Sequence, residues 1–138
     1  MTRKTVVTGV IGVDCHIVGN WLLRHACEEA GLRVVGLGIY VSQEDFIKAA
    51  IETNAAAILV SSICGHAFLD CEGFRDKCDE AGLKDILLYL GGNLTAVEED
   101  PETIKKRFKE MGFNRVYLPD TPLSVCIREL KEDLGLEV

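Results

Sequence analysis

Positive charge is in deficit: 15 Lys and Arg stand against 22 Asp and Glu, for a formal net charge of −7. Phosphate backbones are held by clustered Lys and Arg, so nucleic acid is excluded as the expected partner. The surplus acid is read as solubilising decoration of outer helix faces. No apolar run nears the roughly 18 residues of a membrane helix, so no membrane partner is expected. No signal-peptide pattern precedes the first strand, which begins within Met1-Thr2-Arg3-Lys4-Thr5, and a cytoplasmic location is expected.

Other motifs are missing too. Six cysteines stand at 15, 27, 64, 71, 78 and 126, yet none form Cys-x-x-Cys, which removes the usual zinc and thioredoxin-like signatures. In a reducing compartment they read as small, soft core residues. Cys71 and Cys78 are expected on one helix face beside Phe74, while Cys15 falls in a loop. Gly9-x-x-Gly12 followed by Gly19 lacks dinucleotide-fingerprint spacing, and no Gly-Lys-Ser/Thr marks a P-loop. There is no linker, no low-complexity segment and no arginine cluster able to clamp two carboxylates.

What is present fits one domain over residues 1–138, with 48% apolar and 27% charged residues. Strand and helix patterns alternate five times. Strands are expected at Thr5–Ile11, Arg33–Ile39, Ala56–Ser61, Ile86–Leu90 and Arg115–Leu118. The third is a continuous apolar run, as in a strand buried on both faces. Helices are expected over Ile17–Ala30, with Val18, Trp21, Leu22 and Ala26 inward, over Gln43–Thr53 and over Asp70–Ala81. Two more start at Asp100-Pro101, carrying Ile104, Phe108 and Met111, and at Thr121-Pro122, carrying Leu123, Ile127, Leu130 and Leu134. Ser42-Gln43-Glu44-Asp45 has the form of a capping box, and Asp100-Pro101 that of a cap followed by proline. Ala30-Gly31-Leu32, Ala81-Gly82-Leu83 and Met111-Gly112-Phe113 read as helix stops.

This alternation implies right-handed βαβ units. The expected fold is α/β: a flavodoxin-like (Rossmann-type) five-stranded parallel sheet, order 2-1-3-4-5, with helices on both faces. Ligands then bind beyond the carboxyl ends of the strands, at the switch between the first and third.

The loops around that point have unusual sequences. Val13-Asp14-Cys15-His16-Ile17-Val18-Gly19-Asn20 follows the first strand, Ser61-Ser62-Ile63-Cys64-Gly65-His66 the third, and Gly91-Gly92-Asn93-Leu94-Thr95 the fourth. Asp14-x-His16 suggests a metal-ligating imidazole whose other nitrogen donates to a carboxylate; alone the pair is weak, and a satisfied loop histidine or a helix cap is the commoner reading. Gly91-Gly92 alone is a tight turn, and Ser61-Ser62 a strand end. Three such loops converging by topology supply small residues and hydroxyls around which a bulky heterocycle would pack.

Asp14-x-His16-x-x-Gly19, Ser61-x-Ile63 and Gly91-Gly92 together resemble the three-part signature of cobalamin-binding domains, Asp-x-His-x-x-Gly, Ser-x-Leu and Gly-Gly. Nearly the whole chain is similar to the family of glutamate mutase (methylaspartate mutase) small subunits, including Phe46–Thr53, Lys77–Leu83 and Leu87–Asn93. Ile63 replaces the usual leucine, conserving an apolar wall, and Thr95–Asp100 diverges. The resemblance implies that His16 is the lower axial ligand to cobalt, displacing the cofactor's own dimethylbenzimidazole, with Asp14 holding its imidazole. It implies further that the nucleotide tail runs in a slot between sheet and helices. Gly19 leaves that slot clear, Ser61 hydrogen-bonds the base and Ile63 lines the wall. Gly91, Gly92, Asn93, Leu94, Thr95, Ala96 and Val97 border tail and ribose. Val13, Cys15, Ile17 and Ser62 complete the implied cofactor contacts.

The implied cofactor is adenosylcobalamin. The implied reaction interconverts L-glutamate and threo-3-methylaspartate by radical migration of a glycinyl fragment. The implied partner is a large TIM-barrel subunit that binds the substrate, two large chains with two small. The alternative reading is a corrinoid carrier for methyl transfer; only 13 residues precede Asp14, which leaves no room for the helical cap such carriers usually bear. A flavodoxin-like receiver or ligand sensor is a third reading, disfavoured because Ser61-Ser62 stands where a receiver needs an aspartate. His25 reads as surface or core-edge, His66 as a rim or plain loop histidine, and Trp21 as core. The Val13–Gly19 loop and the start of its helix are expected to order when the slot fills.

Overall fold

The computed structural model describes residues 3–12, 18–62, 67–95 and 98–136, with backbone only for Val18 and Gly19. The strands are β1 (Thr5–Val10), β2 (Arg33–Gly36), β3 (Ala57–Ser61), β4 (Leu87–Gly91) and β5 (Arg115–Tyr117). They form one parallel sheet in the order β2-β1-β3-β4-β5, as expected. The helices are α1 (Val18–Glu29), α2 (Gln43–Thr53), α3 (Ala67–Cys71), α4 (Phe74–Glu80), α5 (Pro101–Glu110) and α6 (Leu123–Asp133). Among the described residues no helix is long and apolar enough to cross a membrane.

Strand alternation divides the core in two. Val7, Ile58, Val60, Leu88 and Leu90 face the larger cluster, which Phe46 of α2, Phe74 of α4 and Phe108 of α5 close. Val6, Ala57, Leu59 and Tyr89 face the smaller one, against Cys27 of α1 and Leu130 of α6. Helix ends follow the local chemistry read from the chain. The Ser42 hydroxyl accepts from the Asp45 amide while the Asp45 carboxylate accepts from the Ser42 amide. Asp100 caps α5 through the Thr103 amide at 3.2 Å. Gly31, Gly82 and Gly112 all take positive φ after their helices.

Three expectations are corrected. The single helix over Asp70–Ala81 is two, α3 and α4, broken at Glu72-Gly73, where Gly73 has φ 76°. The buried Gln43 amide donates to the Asp70 and Glu72 carbonyls at 2.8 and 2.9 Å, satisfying the backbone at the break. Cys71, Phe74 and Cys78 therefore reach the same core from two helices. The inward face of α1 is also rotated. Trp21 is 54% exposed and Leu22 borders open space rather than the core, whereas Asn20 and Cys27 are buried and Leu23 packs against the smaller cluster. A polar residue at position 20 disguised the true stripe of 20, 23 and 27. Trp21 instead lies edge-on to His25, ring centroids 4.6 Å apart, on the solvent side. Finally, β2 stops at Gly36, because Gly38 and Tyr40 take positive φ and the chain turns to α2 through the single bridge Ile11–Val41.

Candidate functional site

A cavity of about 350 Å³ opens at the carboxyl ends of β3, β4 and β5, between the sheet and the helices α1 and α6. Its origin lies in strand register. Val10, Ser61, Gly91 and Tyr117 stand side by side across β1, β3, β4 and β5. One row earlier, Leu59 and Tyr89 are large and meet Leu130 in the smaller core cluster. At the end row the central positions are serine and glycine, and the layer hollows out. A Cβ placed on Gly91 would meet nothing nearer than Tyr117, at 3.7 Å. Leu22 and Leu23 of α1 and Cys126 and Ile127 of α6 form the side walls, and Asn93 and Thr121 stand at the rim.

The cavity is apolar but carries placed polar groups. The Asn20 side-chain amide, 4% exposed, donates to the Ser61 hydroxyl at 3.0 Å. The Ser62 amide donates to the Gly91 carbonyl, and the Gly92 amide to the Tyr117 carbonyl, both at 3.0 Å. These bonds carry the ladder one residue past the strand ends. Gly92 has φ 121°, a backbone conformation that excludes side chains with a Cβ.

A polar clamp beneath the cavity fixes α6. The Arg115 guanidinium donates to both carboxylate oxygens of Asp133 at 2.7 and 2.9 Å and also to Glu129, while the Tyr89 hydroxyl donates to Asp133. The guanidinium holds the Asp133 carboxyl below its ordinary range. Burial, followed by the Asp133 carboxylate, pushes the Tyr89 hydroxyl up. Burial likewise raises Tyr117, with the Glu129 carboxylate adding to it. In the wall, burial pushes the Cys126 thiol up to about 11, so it is a neutral, apolar surface.

Of the residues named from the chain, Ser61, Gly91, Gly92 and Asn93 come together around this cavity. Ser62 and Leu94 do not line it. Ser62 is fully buried, its hydroxyl without a partner among the described residues, and Leu94 packs into the larger core cluster with Ile104 and Phe108. Thr95 lies outside the lining. Val13, Asp14, Cys15, His16, Ile17, Ile63, His66, Ala96 and Val97 lie outside the described residues, as does the surrounding of Gly19.

The α6 wall and Tyr117 were missed as site residues. Leu123, Ile127, Leu130 and Leu134 read as an ordinary core stripe. A signal was nonetheless available: that stripe spans three turns, whereas the strand it follows has only three residues to offer. An apolar face longer than the sheet beneath it leaves space to fill.

The donor set suits a flat heterocycle with a few polar atoms: apolar walls, a hydroxyl at one end, and a missing side chain where a ring would lie. Residues 4–108 match the B12 binding domain model. The glutamate mutase sigma subunits of Clostridium tetani and Clostridium cochlearium are each 56% identical over 137 residues, covering 99% of this chain and 100% of theirs. A solved cobalamin-binding protein from Desulfitobacterium hafniense has the same fold, with a TM-score of 0.77 at 20% identity. That alignment covers 95% of this chain and 59% of the longer one. The chain belongs to the B12-binding domain family and, by identity along its length, to the glutamate mutase sigma subunits.

Proposed function

We propose that this chain is the cobalamin-carrying small subunit of a glutamate mutase, an isomerase assembled with a separate large subunit. The observation that carries the reading is the cavity at the ends of β3–β5, lined by Ser61, Gly91 and Gly92, in a chain of this family. When bound, adenosylcobalamin supplies the radical chemistry of a carbon-skeleton rearrangement between L-glutamate and threo-3-methylaspartate.

The chain's own task is to hold and orient. His16 would ligate the cobalt, with Asp14 keeping its imidazole in the coordinating tautomer. Ser61 meets the base of the displaced tail, Gly91 and Gly92 let it lie against the sheet, and α1 and α6 exclude water from it. Asn93 at the cavity rim and Val13, Cys15, Ile17, Gly19, Ile63, Ala96 and Val97 complete the proposed contacts around corrin and ribose. Among the described residues no arginine lines the cavity, so nothing there can clamp the two carboxylates of a glutamate. This supports substrate binding by the partner, proposed to be a TIM barrel in a complex of two large and two small chains, in the cytoplasm. The full-length likeness to sigma subunits favours a mutase over the methyl carrier.

Two measurements test this. Chain mixed with adenosylcobalamin and desalted should retain the red cofactor yet turn over no glutamate until a large subunit is added; a colourless protein rejects the reading. Reduced to the Co(II) state, the complex should show nitrogen superhyperfine coupling from a protein imidazole, and His16→Ala should abolish it.

A further inference from the structure

Where the chain leaves β1 for the His16 loop, three segments close into a ring. The Gly12 amide donates to the Val41 carbonyl at 2.9 Å. Close by in the chain, the buried Gln43 side chain donates to the Asp70 carbonyl at 2.8 Å. The ring closes between Asp70 and Gly12. Cγ and both carboxylate oxygens of Asp70 lie within 3.0 Å of where a Cβ would sit on Gly12, which has φ 72°. The carboxylate fills the space that the glycine leaves, and its Oδ2 is buried there. We infer that Asp70 is a positioning residue for the proposed cobalt ligand: its carboxylate, docked on Gly12, anchors the base of the loop that presents His16. The inference rests on the proposed reading that His16 ligates cobalt.

An ionised carboxylate only accepts hydrogen bonds, and burying one is costly without them. Gly12 has given its own amide to Val41. The N–H groups that the carboxylate is placed to receive are therefore those of the residues that follow Gly12. Only Val13, Asp14 and Cys15 separate Gly12 from His16, so an anchor at Gly12 bears directly on where the imidazole stands. With the base of the loop fixed, fewer residues remain to be ordered when the metal takes the imidazole, and the entropic cost of coordination is smaller. The two aspartates then have separate tasks: Asp14 sets the tautomer of the ring, and Asp70 sets where its loop begins. Gln43 keeps the short helix α3, and with it Asp70, against the start of α2.

The test uses the full chain saturated with cobalamin in the Co(II) state, its histidines labelled with the heavy nitrogen isotope. A labelled protein imidazole splits the electron paramagnetic resonance lines into doublets, whereas the cofactor's own unlabelled base splits them into triplets. The spectrum therefore reads the share of cobalt held by the protein. In wild type the doublet form should dominate. In Asp70→Ala the ratio of doublet to all other forms should fall about ten- to a hundredfold, the worth of hydrogen bonding to a charged group. Asp70→Asn keeps the shape and one acceptor, and its loss should be smaller. Gly12→Ala, whose Cβ would displace the carboxylate, should lower the ratio as Asp70→Ala does. A merely structural Asp70 would lower the melting temperature and leave the saturated spectrum of its variants as in wild type; that result overturns the inference and leaves the assignment of His16 standing. Should Asp70→Ala fail to fold, Asp70→Asn decides by the same criterion. A wild-type spectrum without the doublet overturns the assignment of His16, and the inference with it.

Discussion

Ser61 and Gly91 stand directly opposite each other on adjacent parallel strands, and the hollow above the sheet begins at that pair. Nothing lies nearer than 3.7 Å to where a Cβ would sit on Gly91. Gly91→Ala should therefore fold with little change in stability, since the backbone there needs no glycine. Gly91→Leu should fill the cavity and weaken cobalamin binding about ten- to a hundredfold, in line with about 1–3 kcal/mol for overpacking. Calorimetric titration with parallel thermal melts separates the two effects; a leucine variant that binds like wild type contradicts the placement of the tail.

Glycine at position 112 answers to a different constraint. It has φ 109°, and a Cβ there would lie 2.3 Å from the Cβ of Arg75. Arg75 cannot retreat, because it donates to the Gly112 and Ile86 carbonyls at 2.9 and 3.0 Å and to the Asn114 side chain at 2.8 Å. Gly112→Ala should cost about 2 kcal/mol or more, combining backbone strain with the clash. Gly82→Ala, with φ 86° but nothing within 4 Å, should cost less. Urea unfolding of the pair checks the order.

The clamp under α6 gives stability an acid limb. Asp133 has its folded pKa below the ordinary aspartate value of 3.8, chiefly through Arg115. Its contribution is therefore fully present above that value and is lost as pH falls through the lowered folded pKa. Melting temperature against pH should show Asp133→Asn below wild type near neutrality, the gap closing on acidification. A gap that widens in acid would reverse the sign argued here.

Cys126 offers a reporter of occupancy. Its thiol is raised to about 11, so at neutral pH alkylation should be slow and should quicken with rising pH. Because it lines the cavity, bound cobalamin should protect it. Peptide mass spectrometry after iodoacetamide, with and without cofactor, resolves this thiol from the others; equal labelling in both states places the tail elsewhere.

Much of this molecule was legible in the chain. Continuous apolar strands, caps at Ser42 and Asp100, and glycine stops at 31, 82 and 112 are local rules, and they led to the observed strand order. The loops carrying Ser61 and Gly91-Gly92 were picked out for the same reason: small residues at strand ends are visible in sequence. Tertiary structure alone decided the rest. The phase of α1 hung on whether Asn20 faced in, which depends on a partner 41 residues away. The break at Gly73 is held by the side chain of Gln43, on another helix. The cavity itself belongs to no segment, because it is the volume that Ser61 and Gly91 leave unfilled once register aligns them and α6 lies across. Local propensity specifies elements; which side chains meet, and which space none of them fills, is settled only when distant strands are in register.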